Sequence, residues 1–258
     1  MSFEKINFNN DLTKSEKELI TSDFLQEQVR LPKKQWNEKF KQLIEEKIKE
    51  NQQAQEDVRK TKIEEPPEVL RERTFKRYIE GLGLNEESLR GKKILDLGSG
   101  EGEFVKSLIE KGLTSEAYGV DAEIDETTIE DIFKGHFIKG NFEEDLPVKN
   151  FDYIISVGAV SNSIWAGEEV MNLKGIIKKS LASLKEDGEI RIYPIQEAAK
   201  ETPCKGLEKS KQKWDELLAE ISERQKLEYK IEPRNIKIIG NNNDIILESV
   251  LIIRRKKT

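Results

Sequence analysis

An α/β fold, with a mostly parallel sheet between layers of helices, follows from three features of the sequence. From residue 91 onward, short apolar runs alternate with helical patterns, the signature of strand–helix–strand units. Glycines punctuate the ends of those units, three of them within the five positions 98–102. The first 65 residues, in contrast, hold no glycine and a single proline, Pro32, and carry a helical apolar stripe. The chain therefore divides into a charged helical extension over 1–65, a helix and linker over 66–90, and an α/β domain over 91–258.

Within the extension, Thr13-Lys-Ser-Glu16 has the form of a capping box and predicts a helix running to about Arg30. After Pro32, residues Trp36, Phe40, Leu43, Ile44, Lys47 and Ile48 recur at three- and four-residue spacing, which places them on one helical face. That face calls for a covering surface, either the main domain or a second subunit, so self-association through these helices stays open. A helix over 68–80 follows Pro66-Pro67 and stops at Gly81 and Gly83.

The α/β part then reads in order. Residues 92–97 form a buried strand, 103–110 a helix closed by Gly112, and 117–120 a second strand. A poorly specified helix spans 126–133, and His136–Lys139 is a third strand. The strongly apolar stretch 151–157 is a fourth strand, and 168–185 is an amphipathic helix ended by Asp187-Gly188. Residues 189–195 are a fifth strand and 207–224 a further helix. Three apolar stretches follow, at 229–231, 236–239 and 245–254, the last two joined by Gly240-Asn-Asn-Asn-Asp244, so the sheet closes on an antiparallel strand.

Composition bounds the function. Apolar and charged residues are each 36% of the chain, and the mean hydropathy is −0.68. That is too polar for one core using every residue, and the extension accounts for the excess. Without an 18-residue apolar run or a leader at Met1, the chain reads as neither membrane-spanning nor secreted, and a reducing cytoplasm is expected. The single cysteine, Cys204, excludes an intrachain disulfide and a cysteine-based zinc site; no metal site is expected. A formal charge of −6 and a pI near 5.3 do not favour a nucleic-acid partner. The basic clusters at Arg71, Arg73, Lys76 and Arg77, and at Arg254–Lys257, read as solvated faces.

The chemistry concentrates in Ile94-Leu-Asp-Leu-Gly-Ser-Gly-Glu-Gly-Glu-Phe104. In an open parallel sheet, ligands bind outside the carboxyl ends of the strands, where Gly98, Ser99 and Gly100 fall. Asp121 ends the next strand and can accept hydrogen bonds from both hydroxyls of a ribose, which makes an adenosine-type ligand the natural reading. The spacing is G-x-G-x-G rather than the dinucleotide fingerprint G-x-G-x-x-G. Asp96 and Glu101 would repel a pyrophosphate but suit the ammonium and sulfonium of S-adenosylmethionine. Taken alone, the glycines would also fit a plain strand–helix turn, and Asp121 a helix N-cap.

With these residues stated, the stretch from about Gly91 to Arg254 resembles the class I S-adenosylmethionine-dependent methyltransferases. The likeness rests on Ile94–Gly102 and Tyr118-Gly-Val-Asp121, on Gly140-Asn-Phe-Glu-Glu-Asp-Leu-Pro147, and on Phe151-Asp-Tyr-Ile-Ile-Ser-Val157. Leu184-Lys-Glu-Asp-Gly-Glu-Ile190 looks like the family's turn into its fifth strand. The resemblance implies a Rossmann-like three-layer sandwich with a seven-stranded sheet and one reversed strand. It implies cofactor binding by Asp96, Leu97, Gly98, Ser99, Gly100, Asp121, Ala122, Asn141, Phe142 and Ser156. Asn141 stands where the family often has an acid, and Phe142 would lie against the adenine. A basic residue on the preceding helix, Arg73 or Arg77, would meet the cofactor carboxylate.

On the acceptor side, the loops after the fourth and fifth strands offer Asn162, Trp165 and Tyr193, though Trp165 and Tyr193 suit core positions equally well. No catalytic residue is singled out. His136, the only histidine, starts the third strand away from the crevice, and Cys204 has no histidine partner nearby in sequence. The expected activity is direct methyl transfer to a small-molecule or protein acceptor. A non-catalytic adenosyl-binding module, an enzyme using a modified adenosyl cofactor, and an RNA methyltransferase remain as alternatives.

Overall fold

The computed structural model describes residues 22–60, 66–127, 129–144, 146, 148–161, 172–200, 205–225, 227–239 and 243–256. Seven strands form one sheet: β1 (Ile94–Leu97), β2 (Ala117–Asp121), β3 (Phe137–Lys139), β4 (Phe151–Val157), β5 (Leu184–Ala198), β6 (Leu227–Ile239) and β7 (Asp244–Arg255). Their order is β3-β2-β1-β4-β5-β7-β6, with β1 to β5 parallel and β7 antiparallel to both of its neighbours. The order reverses between β1 and β4, so the carboxyl end of β1 opens onto a crevice.

Strand β1 is buried along its whole length because helices cover both faces of the sheet. On one face, α3 (Pro67–Leu82) and α5 (Glu103–Glu110) press Phe75, Tyr78, Phe104 and Leu108 onto Ile94, Ile155 and Val157. On the other, α6 (Leu173–Ser183) and α7 (Lys205–Gln225) press Ile176, Leu181, Trp214 and Leu218 onto Leu95, Ile154 and Ile190. A short α4 (Glu86–Leu89), with a capping box between Asn85 and Ser88, turns the chain into β1.

The N-terminal stripe finds its surface within the same chain. Helices α1 (Ser22–Arg30) and α2 (Glu38–Lys60) pack Leu25, Val29, Trp36, Phe40, Leu43 and Ile44 against Ile236, Ile238, Ile245 and Leu247 of the β6–β7 hairpin. They also reach backbone carbonyls of the edge strand: Gln26 donates to Ile231 and Asn51 to Ile238, each at 3.4 Å. Satisfying an edge strand in this way blunts its tendency to pair with another chain. An Arg30–Glu197 ion pair at 2.9 Å ties α1 to the end of β5.

Four boundaries differ from expectation, each for a local reason. The helix expected over 126–133 is only a 3₁₀ turn at Asp131–Phe133. The Asp125 carboxylate accepts from the Thr127 backbone and hydroxyl, an alternative to helical hydrogen bonding. Helix α6 ends at Ser183 and β5 begins at once, with Asp187-Gly188 inside a register shift opposite Phe151–Tyr153. A Cβ on Gly188 would lie 2.8 Å from the Phe151 carbonyl oxygen, so the irregularity needs glycine. The two stretches around Pro233 are one strand, tolerated because β6 is an edge strand and shifts register between Pro233 and Asn235. Gly81 lies within α3 rather than ending it, and it is glycine there because the Tyr193 ring leaves no room for a Cβ. The helix ends at Gly83 in the left-handed conformation, φ 63°.

Among the readings of secondary structure, the capping box at Thr13, the loop 240–242 and the start of the helix expected from residue 168 fall outside the described residues.

Candidate functional site

The turn after β1 crosses directly into α5. Gly98, Gly100 and Gly102 all have positive φ, at 73°, 55° and 79°. They differ in what surrounds them. A Cβ on Gly98 would come within 2.1 Å of the Ala159 Cβ, and one on Gly102 within 2.1 Å of the Phe137 ring, whereas Gly100 faces open space. Two of the glycines thus fit the loop against its neighbours, and the third leaves backbone open toward a ligand. Gly98→Ala combines strained φ with this clash; it is expected to reduce cofactor affinity at least tenfold and to lower the melting temperature, measured by calorimetric titration and thermal unfolding.

Asp121, at the end of β2, joins this loop to the next. Its Oδ2 accepts from the Gly100 amide and its Oδ1 from the Glu123 amide, both at 2.9 Å. Each oxygen keeps a lone pair for a further donor. Ala122 beside it is exposed.

Asp96 carries the most informative geometry. Its side chain is fully buried beneath the loop, and neither carboxylate oxygen has a partner in ordinary hydrogen-bond geometry. Burial raises its pKa from the usual carboxylate range to about 7. The Tyr78 hydroxyl and Arg77 guanidinium, both on α3, pull the value down, and Asp121 pushes it up. The buried Ser99 hydroxyl is likewise unpartnered. Native interiors pair their buried polar groups, so two orphaned ones at the mouth of a parallel sheet mark a place for a polar ligand.

Of the other expected cofactor residues, Phe142 is half-buried and comes 3.5 Å from the position of a Gly98 Cβ, so its ring overlies the glycine loop. Asn141 is exposed, and its Oδ1 accepts from the Glu143 amide at 2.9 Å, which closes a local turn. Leu97 is a core residue whose carbonyl accepts from the Ser156 hydroxyl at 2.9 Å. The Ser156 oxygen in turn accepts from the Val160 amide at 3.1 Å, so Ser156 fastens the loop after β4 rather than standing ready for a ligand. Exposed Glu101 lies on the loop itself.

The acceptor side departs more from expectation. Asn162 and Trp165 lie outside the described residues, as does Cys204. Tyr193 does not face the crevice. It is 2% exposed, packs on α3 at Gly81, and donates to Glu248 Oε2 at 2.6 Å. Burial beside that carboxylate pushes its pKa far above the ordinary phenol range. His136 donates from Nδ1 to the Ala117 carbonyl at 2.9 Å, at the amino end of the strands.

Sequence reasoning missed Tyr78, whose spacing from Phe75 and Leu82 reads as plain core. Its ring stacks on Phe104 at 4.3 Å and 16°. Of the two basic residues offered by the preceding helix, Arg77 favours the ionised Asp96 carboxylate through its charge. Arg71 is engaged by three carboxylates, Glu103, Glu110 and Glu130, at 3.0, 2.5 and 2.8 Å. Arg191 on β5 fixes the far end of α3 by donating to the carbonyls of Leu82 at 2.6 Å and Gly83 at 3.2 Å.

The methyltransferase-domain family matches residues 88–235. No protein of curated function matches the chain. Among solved structures, the chain is similar to the plantazolicin methyltransferase BpumL bound to a monoazolic desmethylPZN analog and SAH. The identity is 16%, over 83% of this chain and 100% of that one, with a TM-score of 0.46. It is also similar to a TehB-like SAM-dependent methyltransferase from Corynebacterium glutamicum, at 20% identity over 72% and 98% of the two chains, TM-score 0.38. A third is the magnesium protoporphyrin IX methyltransferase from Synechocystis with bound SAM, at 14% identity over 71% and 78%, TM-score 0.42. The family match spans more than half of the chain and includes the glycine loop, Asp96 and Asp121, so the chain belongs to the class I S-adenosylmethionine-dependent methyltransferase family.

Proposed function

We propose that the protein binds S-adenosylmethionine in the crevice above β1 and β2 and transfers its methyl group to a small-molecule or protein acceptor. The single observation that carries this reading is the orphaned, fully buried Asp96 carboxylate under an open glycine loop. A buried anion without a partner is costly, and a cationic ligand removes that cost. Asp121 supports the reading as the acid beside the loop, with one lone pair free on each oxygen for ribose hydroxyls. When bound, S-adenosylmethionine supplies an electrophilic methyl on a sulfonium, which leaves as the thioether is formed.

The chain's own contribution is alignment. Gly100 lets the backbone approach the ligand, Phe142 covers the loop, Asp96 faces the cationic methionine part of the cofactor, and Asp121 takes its ribose hydroxyls. Holding donor and acceptor in line replaces a bimolecular encounter with an oriented one. The acidic balance of the chain favours a small-molecule or protein acceptor over RNA.

The test is a transfer screen with methyl-labelled S-adenosylmethionine and cell extract separated into RNA, protein and small-molecule fractions. Label is expected in the protein or small-molecule fraction. Label in RNA overturns the acceptor assignment. Cofactor binding with no label in any fraction favours the non-catalytic module.

A further inference from the structure

The glycine loop after β1 and the loop after β4 meet at one point of the crevice. We infer that Ser156 is a positioning residue for cofactor binding: its hydroxyl joins the two loops, so that Ala159 is held against Gly98 and the crevice keeps a fixed wall. This inference rests on the proposed cofactor site and deepens it.

Three sets of contacts build the joint. Ser156 is fully buried, and its hydroxyl donates to the Leu97 carbonyl at 2.9 Å while accepting from the Val160 amide at 3.1 Å. The Leu97 carbonyl belongs to the peptide that enters Gly98, so one hydroxyl sets both the start of the glycine loop and the return of the β4 loop. That return is opened by Gly158, which ends β4 in the left-handed conformation at φ 85°. The Tyr193 carbonyl on β5 then accepts from the Gly158 amide at 2.8 Å and from the Ser161 hydroxyl at 3.3 Å, which ties both ends of the stretch 158–161 to the sheet. Between those ends the loops touch. A Cβ on Gly98 would come within 2.1 Å of the Ala159 Cβ and 3.5 Å of the Phe142 ring, so the loops after β1, β3 and β4 converge on one point.

The consequence for binding is energetic. A wall already in place lets the cofactor bind without ordering the loop, and a loosened wall has to be ordered at each binding event. Removing the Ser156 hydroxyl takes away one acceptor of the buried Val160 amide and one donor to the Leu97 carbonyl. The two loops then hold their relative position only through weaker contacts, and cofactor affinity falls.

The sheet carries its own control for a merely structural effect. At the opposite, amino end of the strands, the Thr114 hydroxyl donates to the Lys92 carbonyl at 2.7 Å and accepts from the Glu116 amide at 3.0 Å. Thr114 thus makes the same pair of bonds between neighbouring segments, away from the crevice.

The experiment is calorimetric titration of S-adenosylmethionine into wild type, Ser156→Ala, Ala159→Val and Thr114→Val, with thermal unfolding of each cofactor-free protein. Ser156→Ala and Thr114→Val should each lower the melting temperature by about 2–4 °C. Ser156→Ala is expected to bind the cofactor roughly three- to tenfold more weakly, whereas Thr114→Val should stay within about twofold of the wild type. Ala159→Val keeps the Ser156 bonds but adds bulk where the loops meet, and it should weaken binding by about threefold or more. Wild-type affinity in Ser156→Ala or in Ala159→Val overturns the inference while leaving the cofactor site intact. An equal loss of affinity in Thr114→Val also overturns it, because general softening of the sheet would then be sufficient. Failure of the wild type to bind overturns both readings together.

Discussion

Asp96→Asn is expected to make the cofactor-free protein more stable and the cofactor site useless. The sign follows from proton binding. Burial holds the folded-state pKa at about 7, well above the ordinary carboxylate value of 3.8. Between those values the folded chain binds more protons than the unfolded chain, so stability falls as pH rises through that window and stays low above it. Asparagine removes the charge but keeps the shape. At pH 8 the variant should gain about 2–4 kcal/mol, and near pH 4 the difference should vanish. Denaturant unfolding at the two pH values checks this. Calorimetric titration should show S-adenosylmethionine affinity at least tenfold lower. A variant that is no more stable at pH 8 would show that the carboxylate is satisfied in the folded protein. The orphaned acid is thus an instance of stability given up for function.

Glu248→Ala should have the largest destabilising effect. This carboxylate is 4% exposed on β7 and holds together four side chains. Tyr193 donates at 2.6 Å, Gln196 at 2.8 Å and Asn235 at 3.4 Å, and the Lys237 ammonium lies 3.8 Å away. Its place in the sheet explains the arrangement. Glu248 pairs with Gln196 and with Asn235, next to the two register shifts at 192–195 and 233–235. Glu248 joins the two irregular places in β5 and β6 through side chains. Alanine would take away the acceptor of the buried Tyr193 hydroxyl and of two half-buried amides. The expected cost is about 3–5 kcal/mol, with a fall in melting temperature of roughly 10 °C. Glu248→Gln, which retains an acceptor, should lose about half as much or less. A Glu248→Ala protein that unfolds like the wild type would contradict this account.

Much of the architecture was legible before the structure, because local signals coincide with tertiary ones. The strands of the parallel half are short apolar runs bounded by glycine, and 103–110 and 151–157 were placed to the residue. The stripe from Trp36 to Ile48 required a partner surface, and the β6–β7 hairpin of the same chain supplies it. The elements that resisted reading depend on competition or on distant partners. Thr127 bonding to Asp125 cannot be weighed against a helix without coordinates. The proline at 233 looks like a break until β6 is known to lie at the edge.

The site shows the same division. Asp96, Gly98, Gly100 and Asp121 are adjacent in space because consecutive strands place them there, and their spacing carried the message. Glu248 carried none. It looks ordinary in sequence, as a strand acid, and gains its role only from neighbours more than ten residues away. Tyr193 shows the reverse: in sequence it suits the acceptor side and a core position equally, and in the structure its ring is buried on α3 at Gly81.

The central claim is that the crevice above β1 and β2 takes S-adenosylmethionine through Asp96 and Asp121. Calorimetric titration of S-adenosylmethionine into the wild type and Asp121→Ala at pH 7.5, a value chosen to lie just above the Asp96 pKa of about 7, tests it most directly. One cofactor bound per chain by the wild type, weakened at least tenfold in Asp121→Ala, is the predicted result. No measurable binding by a folded wild type at millimolar cofactor, or equal affinity in the two proteins, would contradict it.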